Sequence, residues 1–192
     1  MLQAITSALA SVSERMLLMF RSLLLFLVIV SAEVSAGDTY FTQQQIQADV
    51  FGGEAISSGV IWLTPERKQA IYDVTGQSLT QARIRFQEGA GRRLWVLSEI
   101  GKEKPITFAV ITAAGEIERM EVMVFREVRG DEIRLPQYTA QYQGQVLTAD
   151  GDLSQPVDGI SGATYSVRSM KKVAKLALLL DSWVTQEHAS AP

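Results

Sequence analysis

The chain has 192 residues, 47% of them apolar and 20% charged, with a formal net charge of -3. That length and apolar share suit one domain with a proper core, and 18 Lys and Arg dispersed among 21 acids give no basic field for nucleic acid. With no cysteine and a single histidine, His188, the chain has no thiolate-held cluster, no C-x-x-C-H haem attachment, no Cys nucleophile and no Ser–His–Asp triad of its own, so redox chemistry here requires an organic cofactor.

In chain order, Arg21 opens an apolar run over residues 23–30 that ends in the small-residue stretch Ser31-Ala32-Glu33-Val34-Ser35-Ala36. This reads as an export signal over residues 1–36, cut after Ala36. An uncleaved anchor is the alternative, although a membrane span needs roughly 20 apolar residues. Met16 or Met19 as the start gives a more ordinary signal. Residues 37–62 read as a linker carrying a short docking helix over 42–51, stopped by Gly52-Gly53. Thr64-Pro65-Glu66 then supplies an N-cap, a proline at the first helical position and an acid in the first turn. Ala70, Ile71 and Val74 fall on one side of that helix, and Gly76 ends it.

Residues 82–86, 93–100, 106–112 and 117–125 read as consecutive antiparallel strands separated by Gly-rich turns. The third is apolar on both faces and suits a central position, so helices must cover at least part of the sheet. A charged connection over 125–134 follows, in which Glu127 stands beside Arg126 and Arg129. Pro136 begins a short helix that places Tyr138 and Tyr142 at i and i+4. Asp150-Gly151-Asp152 reads as a turn, since the twelve-residue acidic Ca²⁺ loop is missing. Core-spaced residues 167–180 form the closing helix, and 186–192 read as a frayed tail. The expected fold is α+β: an antiparallel sheet of about four or more strands packed with N- and C-terminal helices, a single domain over 63–185.

Immediately before the closing helix stands Asp158-Gly159-Ile160-Ser161-Gly162-Ala163-Thr164-Tyr165-Ser166. A small-residue turn opening a helix offers free N–H groups and a positive dipole end, which favour an anion. Gly162 and Ala163 have too little side chain to block close approach, and Arg168, Lys171 and Lys172 add positive charge within two turns. A bare Ser-Gly-Ala-Thr is otherwise an ordinary turn with an N-cap hydroxyl.

With Asp158, Ser161, Gly162, Ala163 and Thr164 at every fixed position of D-x-x-[ST]-G-A-[ST], the chain resembles the FMN-binding domain family of bacterial respiratory flavoproteins, more loosely from about residue 63 to 180. The resemblance implies FMN held covalently on Thr164 through its phosphate, placed there by a flavin transferase that uses FAD and recognises Asp158, Ser161, Gly162 and Ala163. It implies a carrier that relays electrons between haem, iron–sulfur or quinone-linked membrane redox proteins, in the periplasm or on the outer face of the cytoplasmic membrane. The FMN-carrying subunits of the Rnf and sodium-pumping NADH:quinone reductase complexes are more distantly similar. They have a His- and Pro-containing segment near Glu127, where this chain has Val128 and no His.

Glu127 faces the flavin ring or a partner on one reading and lies in a solvated turn on the other. Tyr165, Trp62 and Trp95 are stacking candidates or core residues, and Lys102 and Lys104 steer a partner or are simply solvated. Two other functions remain open: a flavin-free periplasmic binding or assembly module of the same fold, and a small flavin reductase.

Overall fold

The computed structural model describes residues 37–190, so the apolar run and the expected cleavage after Ala36 lie outside the described residues. Six strands form one antiparallel sheet: β1 (Asp38–Thr39), β2 (Ser57–Trp62), β3 (Arg83–Gly89), β4 (Arg92–Ile100), β5 (Pro105–Ala113) and β6 (Glu116–Phe125). Their order is β1-β6-β5-β4-β3-β2. Consecutive strands from β2 onward therefore lie side by side, and β1 closes back onto β6 through Asp38 opposite Phe125. The β3–β4 and β5–β6 hairpins turn on two residues, Ala90-Gly91 and Ala114-Gly115, all four with positive φ. That conformation matches the right-handed twist of the flanking strands.

Segment 37–62, expected as linker and docking helix, supplies both edge strands of the sheet along with helix α1 (Gln43–Phe51). Thr42 and Gln45 form a capping box at the start of α1, which stops at left-handed Gly52. Helix α2 (Pro65–Thr75) has Thr64 as N-cap, its hydroxyl accepting from the Arg67 N–H, and Gly76 as its left-handed stop. Helix α3 (Pro136–Thr139) is short and flanked by 3-10 turns over Asp131–Arg134 and Ala140–Tyr142. The rings of Tyr138 and Tyr142 meet edge to face at 6.2 Å. Helix α4 (Thr164–Ser190) continues past residue 185.

Alternation along β5 explains the layers. Ile106, Phe108 and Val110 join the core beneath α4, with Met170, Val173, Ala174, Ala177 and Leu180. Ala109 and Ile111 pack on the other face under Ile46, Val50 and Phe51 of α1. β5 is thus covered on both sides, which its unbroken apolar run requires.

One polar network pins α4 to the sheet. Asp181, only 2% exposed, accepts from the Thr112 hydroxyl at 2.6 Å and from Arg93 at 2.9 Å. The Trp95 indole N–H in turn donates to Thr112 Oγ1 at 2.9 Å. A carboxylate so deep in apolar surroundings is tolerated only when paired and hydrogen-bonded in this way. α4 is consequently held against β4 and β5, and nearer its start the Ser169 hydroxyl donates to the Ile100 carbonyl at the end of β4, at 2.9 Å.

Candidate functional site

The site grows from the turn that starts α4. The Ala163 N–H donates to the Ile160 carbonyl at 3.0 Å, closing a turn with Ser161 and Gly162 at its centre. Gly162 has φ +84°, the value a type II turn needs at its third residue and that glycine adopts at no steric cost. The Ala163 carbonyl accepts from the Val167 N–H at 3.0 Å, which makes Ala163 the N-cap. Alanine has no oxygen with which to cap, so the N–H groups of Thr164, Tyr165 and Ser166 emerge at the positive end of a 27-residue helix with no intrahelical acceptor.

Ala163 and Ser166 are buried, whereas Asp158, Gly159, Ser161, Gly162 and Thr164 are exposed and Tyr165 is half exposed. The buried pair faces Gly130 in the connection after β6. Gly130 has φ +92°, and a Cβ there would lie 2.5 Å from Ser166 Oγ and 3.2 Å from Ala163 Cβ. Only glycine lets that connection approach so closely.

Two clefts flank the helix start. One, of about 470 Å³, lies between Gly162, Ala163, Tyr165 and Ser166 on one side and Lys102, Glu127, Val128 and Arg129 on the other. The second, of about 420 Å³, contains Thr164, Val74, Arg168, Lys171 and Lys175. Both volumes fall in the roughly 300–1,000 Å³ range of small-molecule clefts.

The cations differ in what they have left to offer an anion. Lys172 pairs with Glu99 at 2.9 Å and Lys175 pairs with Asp152. Lys171 donates to the Val157 carbonyl at 2.7 Å, and Arg168 lies over the Tyr165 ring at 5.6 Å. Those two contacts leave the formal charges of Lys171 and Arg168 uncancelled. Of the three cations expected to assist, Lys172 is therefore the one already neutralised.

Glu127 forms part of the opposite wall. Its carboxylate accepts the backbone N–H groups of Glu103 at 2.7 Å and Lys104 at 2.9 Å. Partial burial alone would raise its pKa, but the N–H groups of Lys104, Glu103 and Lys102 outweigh that effect and hold it below the usual carboxylate value. A Cβ on Gly101 would come within 2.6 Å of Glu127 Oε1, so turn and carboxylate are fitted to each other. Of the aromatic candidates only Tyr165 reaches a cleft. Trp95 is in the core, and Trp62 lies on β2 beneath Arg83 at 5.7 Å.

Residues 101–179 match the model of the FMN-binding domain family. Over that stretch the chain is similar to an FMN-binding domain. Neither the curated proteins nor the solved structures include a match to it. The matched stretch begins at the turn pinned by Glu127, takes in every residue named for the larger cleft, and ends within α4. FMN is the cofactor of such a domain, and the residues present fit it: small side chains at 162 and 163, uncapped N–H donors for a phosphate, and two cations not cancelled by acids. Gly130 and Ser166 escaped sequence reasoning because their importance is a contact between segments 36 residues apart; a glycine within a charged run was the one visible hint.

Proposed function

We propose that FMN is held covalently on Thr164 through a phosphoester and that the protein relays electrons between redox partners outside the cytoplasm. The observation that carries this reading is the placement of Thr164. Its side chain is exposed at an uncapped helix start, where a modifying enzyme has access and a phosphate meets backbone donors. In the attachment step, Thr164 Oγ bonds to the flavin-side phosphorus of FAD. The pyrophosphate P–O bond breaks, AMP leaves with the electron pair, and the hydroxyl proton passes to the transferase or solvent. The resulting diester carries one negative charge, matched by the helix dipole, Arg168 and Lys171.

Bound flavin supplies one- or two-electron chemistry. This chain positions it, screens it and sets its electrostatic surroundings. Glu127 is engaged with three backbone N–H groups, which leaves it poorly placed as a proton donor to a metabolite and favours a carrier over a reductase. Export rests on the pattern of residues 1–36. Among the described residues, no helix is long and apolar enough to cross a membrane. Haem, iron–sulfur or quinone-linked membrane proteins are the proposed partners.

The test is intact mass after coexpression with a flavin transferase. Wild type should gain one FMN less water and keep its yellow absorbance after denaturation and desalting, whereas Thr164→Val should gain nothing. Equal gain on both, or none on wild type, overturns the reading.

A further inference from the structure

The motif that ends at Thr164 lies in a long connection with little regular structure. Between the 3-10 turn Ala140–Tyr142 and α4, the described residues contain only an isolated bridge between Leu147 and Leu153. Such a segment needs side chains to satisfy its backbone, and the structure provides them in two tiers. At the base, Gln145 is 2% exposed. Its amide nitrogen donates to the carbonyls of Gln141 and Gln155, both at 3.1 Å. Its amide oxygen accepts from Ser154 Oγ at 3.0 Å and the Gln155 N–H at 2.8 Å. That uses the full capacity of a glutamine side chain. Above it, the Asp158 N–H donates to Gln141 Oε1 at 2.9 Å, and the Tyr138 hydroxyl donates to the Asp158 carbonyl at 3.1 Å. The contact from Lys171 to the Val157 carbonyl completes this tier. Three separate elements thus grip the backbone at 157–158, while Asp158, Gly159, Ser161, Gly162 and Thr164 remain exposed.

We propose that Tyr138, Gln141 and Lys171, supported by Gln145, are positioning residues that display the segment 158–164 to the flavin transferase in one fixed conformation. This rests on the reading of Thr164 as attachment point and adds the part of the chain that presents it. A loop ordered beforehand does not lose its conformational freedom when the enzyme binds, so the advantage falls on recognition. No residue of the frame is required to touch the reacting oxygen.

The experiment uses unmodified full-length chain, purified flavin transferase and FAD-Mg²⁺, with initial rates of flavin incorporation measured against acceptor concentration. Gln141→Leu and Tyr138→Phe each remove one hydrogen bond without changing charge. Each is expected to raise KM for the acceptor, by roughly tenfold in the double variant, with kcat within about twofold of wild type. Gln141→Glu keeps the acceptor oxygen, so it should stay near the wild-type KM. Thermal unfolding of each acceptor separates this from a merely structural role, which would lower the midpoint and leave the KM of the folded chain unmoved. Wild-type KM for the folded double variant overturns the inference and leaves the attachment reading intact. No incorporation into wild type overturns both.

Discussion

Glu127 shows how one side chain shapes the site through the backbone it holds. Its carboxylate organises the β4–β5 turn, and that turn forms one wall of the larger cleft. Because its folded pKa is depressed, the stabilisation due to its charge is fully present above the unfolded value, about 4.3. It is lost as pH falls through the lower folded value. Glu127→Gln keeps the shape and removes the charge. Urea midpoints should therefore show the variant less stable by a constant margin from pH 8 to about 5, with the margin shrinking below about 4. A margin that grows on acidification would contradict this assignment. Gly130 acts similarly through space: its missing side chain admits Ala163 and Ser166, which sets the first turn of α4 against the connection after β6.

At the scale of elements, α4 depends on a buried anchor as well as on its apolar face. Asp181→Ala would leave Arg93 with Glu88 at 3.3 Å and the Thr185 hydroxyl at 2.9 Å, and Thr112 without its acceptor. We expect a loss on the order of 3 kcal/mol, read from chemical denaturation, with α4 loosening from β4 and β5 in hydrogen exchange. This anchor was not legible in the sequence, where Asp181 lies just past the core-spaced run 167–180; only the fold brings Thr112 and Arg93 to it. The caps were legible because they are local: Thr64-Pro65, Gly76 and Gly52 are chemistry between residues a few positions apart. The four long strands were legible for the same reason, their alternation and Ala-Gly turns being written into neighbouring residues. β1 and β2 were not. β1 is two residues long, and Ser57-Ser58-Gly59 hides β2 because Gly59 is demanded by the Phe86 ring of β3, which a Cβ there would meet at 2.1 Å. In the candidate site the motif and its helix could be read directly. The grip of Gln141, Tyr138 and Gln145 on the loop could not, since it depends on hydrogen bonds between segments that fold together.

For the whole molecule, the family match covers less than the structure needs. Residues 101–179 hold β5, β6 and the first part of α4 but lack β4, whose Leu94, Trp95 and Leu97 fill both faces beside β5. They also lack Asp181 and helices α1 and α2. A fragment restricted to 101–179 would expose the full hydrogen-bonding edge of β5 and leave its apolar faces uncovered. Such a fragment should show no cooperative unfolding and no dispersed amide spectrum, whereas residues 37–192 should unfold in one transition. A folded 101–179 fragment would show that the N-terminal half of the sheet is dispensable.

The alanine at the start of α4 bears on what happens to copies that miss their maturation. A helix beginning without a capping oxygen forgoes about 1 kcal/mol, roughly a fivefold change in how often that end opens. On the attachment reading, the diester supplies the missing acceptor. Unloaded copies keep three N–H groups without an acceptor, so the first turn of their α4 should exchange its amide hydrogens faster than that of loaded chain.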